Sequence, residues 1–434
     1  MSSYYAPSTD PTFAVTHLFI KKLKTANGDE IHCIPKTEEN YISFSKKVIV
    51  DKYMKKTPNK DGEVKLEEKP VERELRFIDT FRFMPSSLDA LSKNLSAEQF
   101  KNLRKMYSDI RFDLLRRKGV FPYEYIDSVD RLNEDKLPPK SAFYSNLTGS
   151  DISDENYEHA QEVWKECGCK TLRDYLKLYN ESDVLILADV FENFRDMSMM
   201  HYKLDPAWYY TSPGLACDAM LKLTGIKLEL LSDPDMLLMV KRGIRGGVST
   251  VSKRYAKANN KYMGDAYDPS QPSNFITYLD ANNLYGWAMS QPLPTRGFKW
   301  MNDDELKDWR DMPNGKGCIL EVDLEYPKEL HDLHNDYPLA PENIVPPGSK
   351  VSKLVPNLDD KNKYVVHYVA LKLYESLGLK VTKVHRGISF YESLWLKPYI
   401  DKNTKLRTKA KKPVRKRFLQ AHEQQRVWED NGKY

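Results

Sequence analysis

Long apolar runs are missing from this chain. No stretch approaches the roughly 20 consecutive apolar residues that a helical membrane span requires, and Met-Ser-Ser-Tyr-Tyr at the N-terminus lacks the basic and apolar regions of a signal peptide. The expectation is an intracellular protein, in nucleus or cytoplasm, with no membrane partner. Cysteine is scarce as well. The five present, Cys33, Cys167, Cys169, Cys217 and Cys318, are odd in number and scattered, which fits a reduced compartment better than a disulfide framework. Cys167-Gly-Cys169 is too tight for a zinc knuckle and lacks a second pair, so structural zinc is not expected. A strong excess of one charge is also lacking: 67 Lys and Arg face 62 Asp and Glu, a net of +5. Bulk charge therefore does not advertise nucleic-acid binding. Acidic residues crowd 127–166 and basic ones 402–417, so any basic surface must be local.

What is there describes a globular chain. Hydrophobic residues make up 41% and aromatic ones 12%, and 434 residues are enough for two or three domains. No internal repeat is found. Short apolar runs predict strands at 30–35 and 76–83, with 16–23 helical or strand, and a lysine-rich, proline-punctuated loop at 51–70. Residues 87–95 and 96–107 read as helices opened by serine caps, the second carrying Glu98 near its start. Leu176, Tyr179, Val184, Leu187, Val190, Phe191 and Phe194 recur at helical spacing and predict a helix from 172 to about 202. A helix at 215–223 precedes a glycine-rich turn at 243–247. Residues 275–279 then read as a strand ending at Asp280, with 317–324 as its partner. Residues 363–377 read as helical, 379–390 as a strand pair around Gly387, and 394–408 as helical.

The most informative segment is Tyr278-Leu-Asp-Ala-Asn-Asn-Leu-Tyr-Gly-Trp-Ala-Met289. A strand that ends in an aspartate and turns at once into an apolar helix places one carboxylate at the strand tip, with Leu284 and Tyr285 buried beside it. Nucleotidyl transfer needs such carboxylates on adjacent strand ends, because two divalent metals must be held about 3.5–4 Å apart. The plain alternative is an aspartate that caps a helix. Tyr179 and Asp183 lie one turn apart on one helix face, a pattern that chance also produces. Gly246-Gly247, followed by Arg254, Tyr255 and Lys257, lets backbone amides approach phosphates closely; a plain loop is the alternative. His367 and His385 are metal ligands or packed histidines, and nothing at ligand spacing accompanies them.

Asp-x-x-x-Leu-Tyr-x-x-x-Met resembles the first catalytic motif of family B DNA polymerases. The resemblance implies that Asp280 binds metal with help from the Ala281 carbonyl. It also implies that Ala281, Leu284 and Tyr285 meet the incoming nucleotide, Tyr285 excluding a 2′-hydroxyl. Asn283 and Gly286 stand where the common form has Ser and Pro, a departure resembling polymerases of Polinton or Maverick-type elements. Ile244-Arg-Gly-Gly247 resembles the Tyr-x-Gly-Gly motif, which implies template contact by Arg245, Gly246, Gly247, Arg254 and Lys257. Tyr179-x-x-x-Asp183 resembles the third exonuclease motif, in which the Asp binds metal and the Tyr orients water. Lys118-Gly-Val-Phe-Pro-Tyr-Glu-Tyr125 fits the protein-primed branch. Phe77 to Leu91 resembles the segment that handles single strand and terminal protein, through Thr80 or Ser87.

The implied fold is α/β: a ribonuclease H-like exonuclease remnant followed by a partial right-hand polymerase palm with a protein-priming insertion. The implied segments are 1–205 exonuclease-like, 206–260 connecting, 261–325 first part of the palm, 326–412 priming insertion and start of fingers, and 413–434 an aberrant basic tail. Implied partners are template and primer DNA, deoxynucleoside triphosphates and a terminal protein, with Mg²⁺ in a two-metal site. Parts of the family's set are absent. Val15 stands where the second exonuclease motif has aspartate, and no Asp-x-Glu strand precedes residue 13, so exonuclease activity is not expected. The triphosphate-binding helix and the Asp-Thr-Asp hairpin do not follow Ala410. Codons permitted for Val414 onward, displaced by one nucleotide, can spell Asn-Ser-Val-Phe-Gly, the motif due there; a frameshift at about Pro413 is the expectation. The chain is thus read as a DNA-directed DNA polymerase by family, inactive in this form, with a non-enzymatic nucleic-acid-binding remnant as the alternative.

Overall fold

The computed structural model describes residues 31–36, 41–58 and 64–410, a mixed α/β chain that divides into two compact units, Met1–Ala219 with Leu406–Tyr434 and Met220–Lys405. The readings at 13–23 and after Pro413 lie outside the described residues.

The first unit opens with an antiparallel sheet in the order β1 (Ile31–Pro35), β2 (Tyr41–Pro58), β3 (Val64–Ile78). The expected loop at 51–70 is instead a ribbon, with Lys52 opposite Pro70 and Met54 opposite Glu68. Charge hid the period of two. Lysines on β2 face glutamates on β3, and Lys47–Glu72 and Lys52–Glu68 close at 3.3 and 3.1 Å, the kind of cross-strand pair that supports a sheet. The strand expected at 76–83 stops at Ile78, because the Asp79 carboxylate accepts from Phe81 N–H (3.0 Å) and turns the chain into a 3₁₀ turn, Thr80–Arg82. Ser87 caps helix Leu88–Ser92 as expected, whereas the second predicted helix breaks into Ala97–Gln99 and Lys101–Met106, with Gln99 rather than Glu98 closing the capping box.

Helix Leu172–Tyr202 is the spine of this unit, opened by a Thr171/Asp174 capping box and ended by Lys203 in the left-handed region. Its buried stripe runs through Tyr175, Tyr179, Ile186, Val190 and Phe194 against Phe83, Leu103, Phe112 and Phe121. Val184, expected in the apolar stripe, is 66% exposed.

The second unit is built on a four-stranded antiparallel sheet in the order β4 (Leu293–Trp300), β9 (Lys380–Ser393), β5 (Lys316–Glu325), β8 (Lys361–His367), with β6 (Glu342–Ile344) and β7 (Lys353–Val355) forming a separate two-stranded ribbon. Trp309, Leu320, Val322, Leu324 and Leu371 fill its core. Three expectations are corrected here. Residues 361–367 form β8 before helix Tyr368–Ser376 begins, so the predicted helix starts late. β9 runs straight through Gly387 instead of folding back, since a Cβ there would come within 2.7 Å of both Leu320 and Met301 and glycine lets the strand pass beneath them. Finally, β5 pairs with β8 and β9, and residues 275–281 form no strand at all. A β-branched, aromatic run becomes a strand only where a neighbour accepts its backbone hydrogen bonds, and only the Asn259–Asn274 bridge reaches this stretch among the described residues.

Candidate functional site

The helix Leu172–Tyr202 brings Tyr179 and Asp183 together, as their spacing predicts. A lysine 61 residues upstream of Tyr179 completes the group: the Lys118 ammonium donates to the Tyr179 hydroxyl at 2.7 Å and to the Asp183 carboxylate. Tyr123 donates to the Tyr179 hydroxyl at 2.9 Å. Phe121 packs on Tyr175 and Tyr179, with ring centroids 6.1 and 5.6 Å away. Burial pushes the Tyr179 phenol up to about 12, so it stays a neutral hydrogen-bonding group across the physiological range. Asp183 Oδ1 is buried with no hydrogen-bond partner. The sequence does not connect Lys118 to Tyr179; in the structure the chain passes close here, and a Cβ on Gly119 would lie 3.4 Å from the Tyr179 ring.

A metal at Asp183 needs further carboxylates, and the next acid facing the interior along this helix is committed elsewhere. Asp189, 1% exposed, accepts from the backbone N–H of Asn102 (2.7 Å) and Leu103 (3.0 Å) and so caps helix Lys101–Met106. No group of three His, Cys, Asp or Glu able to hold a metal ion occurs among the described residues. Asp183 and Asp280 could each supply one carboxylate toward a metal, and no metal site is shown by the described residues.

Asp280 stands in the second unit on the extended stretch before helix Leu284–Met289. Asp280 and Ala281 are exposed. Leu284 and Tyr285, expected to be buried, are 56% and 68% exposed; among the described residues no strand lies alongside to cover them. The two departures from the common motif are physically linked. Asn283 adopts the left-handed region (φ 55°, ψ 44°), which Asn tolerates, and its side chain folds over residue 286. A Cβ at 286 would crowd that amide unless the Asn283 side chain moved, and glycine removes the conflict.

Gly243 and Gly246-Gly247 differ in kind. A Cβ at Gly243 would meet Val365 at 3.0 Å, whereas one at Gly246 or Gly247 would meet nothing within 4 Å. Neither packing nor positive φ demands glycine at 246 and 247, which leaves bare backbone open to a ligand. Arg254 and Lys257 are exposed. Arg245 is engaged: its guanidinium donates to the Val365 carbonyl at 2.6 Å and lies 3.8 Å over the Tyr364 ring. Nearby, the buried Glu321 carboxylate holds Arg242 and Arg386. His367 is half-buried with its ring stacked on Phe390, and desolvation lowers its pKa. His385 lies 2.8 Å from Asp323. Both histidines are packed into the sheet.

No helix among the described residues is long and apolar enough to cross a membrane. Compared with known proteins, the chain is similar over 270 residues, at 22% identity, to a "Probable DNA polymerase" of Podospora anserina, covering 62% of this chain and 19% of that protein. Among solved structures it is similar to phi29 DNA polymerase complexed with primer-template DNA and incoming nucleotide substrates, with 13% identity, a TM-score of 0.47, and coverage of 94% of this chain and 56% of that one. An orthorhombic crystal form of the same polymerase gives 12% identity and a TM-score of 0.46, covering 95% of this chain and 56% of that one. The chain thus spans about a fifth to just over half of the proteins it matches. The model of type B DNA polymerases, organellar and viral, matches residues 29–419, which is most of the chain and includes every site residue named above. The chain belongs to the organellar and viral type B DNA polymerase family.

Proposed function

We propose that this chain serves DNA-directed, protein-primed DNA synthesis as the part that holds template and primer. The single observation that carries this reading is the family match across residues 29–419. In it, DNA phosphates lie along Gly246, Gly247, Arg254 and Lys257. The incoming deoxynucleotide meets Ala281, Leu284 and Tyr285, and Asp280 contributes one carboxylate toward Mg²⁺. The first unit is a ribonuclease H-like exonuclease remnant built around Tyr179 and Asp183; residues 261–325 belong to a palm, and 326–412 to an insertion that meets a terminal protein. Metal chemistry at Asp280 requires carboxylates beyond those described, so the chain alone binds DNA without extending it.

Mixing the purified chain with a primed template, Mg²⁺ and deoxynucleotides tests this. Binding that weakens steeply with salt, and no extension, is the expected result. Extension that disappears in Asp280→Ala would show an active polymerase, and absence of DNA binding would remove the reading. A second reading, a nucleic-acid-binding remnant with no nucleotide site, is favoured by the lack of a metal-holding group among the described residues. The two separate on adding a complementary deoxynucleotide: the first expects it to tighten the DNA complex through Tyr285, and the second expects no change. The frameshift at about Pro413 belongs to the same proposal. Genomic DNA read in the displaced frame should continue through Asn-Ser-Val-Phe-Gly, and immediate stop codons there would overturn it.

A further inference from the structure

Residues 253–262, Lys-Arg-Tyr-Ala-Lys-Ala-Asn-Asn-Lys-Tyr, hold four cations and no acid. The structure fixes the end of this stretch with unusual care for an exposed loop. Asn259 and Asn274 form a bridge, Asn259 N–H donating to Asn274 O (3.2 Å) and Asn274 N–H to Asn259 O (2.7 Å). The Asn259 side chain donates to the Asp268 carbonyl and accepts from its N–H, both at 2.9 Å. Asn260, 6% exposed, donates to the Asn274 carbonyl (3.0 Å) and accepts from Tyr262 N–H (3.1 Å). Such frames ordinarily support buried side chains. This one presents two aromatic rings to water: Tyr262 and Phe275 are 77% and 60% exposed, with centroids 6.4 Å apart and planes at 53°. The Lys261 ammonium sits 5.3 Å from the Tyr262 ring.

We propose that Tyr262 and Phe275 form a stacking corner for unpaired nucleic-acid bases, with Lys257 and Lys261 taking the flanking phosphates. The inference rests on the reading that this chain binds DNA and adds where and how bases are held. Two rigid rings present π faces at almost no further entropic cost, and every base has a face to offer them. An apolar peptide would leave the four cations unused, and an acidic peptide would leave the rings unused; a single strand uses both. A duplex does not fit the corner, because its bases already stack on one another. Asp268 in the frame accepts from Ser270 N–H and Oγ at 2.9 and 2.6 Å and also feels the Lys257 charge.

The test compares the full chain's affinity for a labelled oligothymidine with that for an abasic oligomer of equal length, by fluorescence anisotropy across a salt series. The expected result is roughly tenfold tighter binding of the base-bearing strand. Tyr262→Leu with Phe275→Leu should reduce that affinity to the abasic level with an unchanged salt slope, and Tyr262→Trp should preserve the preference. Equal wild-type binding of both oligomers overturns the stacking corner while leaving the DNA reading intact. Retention of the preference in the double leucine variant also overturns it. Failure to bind either oligomer removes both.

Discussion

Two aspartates, Asp183 and Asp280, head the two constellations proposed to carry catalytic chemistry, and the chain treats them in opposite ways. Asp183 sits on a 31-residue helix, tied to Lys118 and backed by Tyr179. A helix satisfies its own backbone, so the spacing of Tyr179 and Asp183 is enough to bring them together. Asp280 sits on an extended stretch whose Tyr278 and Leu279 are 91% and 86% exposed. Extended backbone has no internal partner, so this site takes shape only where another strand lies against it. Helix-borne chemistry is assembled locally, and strand-borne chemistry waits for its sheet.

The largest expected effect contrasts the packing behind each aspartate. Phe83 is fully buried against Phe191 and Phe194, so Phe83→Ala should cost about 3–5 kcal/mol in the unfolding of the first unit. Tyr278→Ala should change the second unit by less than about 0.5 kcal/mol. Urea titrations of both variants check this, and equal costs would break the comparison. Next comes the Asp183 cluster. Lys118→Met leaves a half-buried carboxylate without its donor and should cost about 1–3 kcal/mol, partly regained in the double variant with Asp183→Asn.

A pH effect of intermediate size should mark the same helix. Arg195 reaches Asp205 through two nitrogens, at 2.9 and 2.6 Å, and holds its carboxyl below the ordinary carboxylate range. A depressed folded-state pKa means the unfolded chain binds the proton more readily. The pair's contribution is therefore present at neutral pH and lost as pH falls below about 4. Asp205→Asn should flatten the acid limb of a melting-temperature profile, and an unaltered limb would contradict the assignment. The smallest effects concern DNA. Arg254→Ala and Lys257→Ala should each lower the salt slope of binding by about one, whereas Arg245→Ala should act mainly on stability, through the lost Tyr364 and Val365 contacts.

The same contrast explains what was legible in the sequence. The long helix, with its start near Leu172 and its end near Tyr202, is readable because its apolar period is local. Lys118 is not, since its approach to Tyr179 depends on a fold-back that no local pattern encodes. The 51–70 part of the β2–β3 ribbon reads as a loop because its lysines, glutamates and prolines leave no clear apolar alternation to count. Residues 275–279 were read as a strand from composition alone, and composition cannot supply a neighbour. Asn283 and Gly286 were seen as departures from a motif, but their contact appears only once Asn283 is found in the left-handed region.

Amide hydrogen exchange on the intact chain tests the central contrast most directly. Amides of Leu178 to Phe194 within the long helix should be strongly protected, while those of Ile276 to Ala281 should exchange at rates close to an unstructured peptide. Strong protection at Ile276 to Ala281 in the chain alone would mean that Asp280 already stands on a paired strand, and would contradict the account.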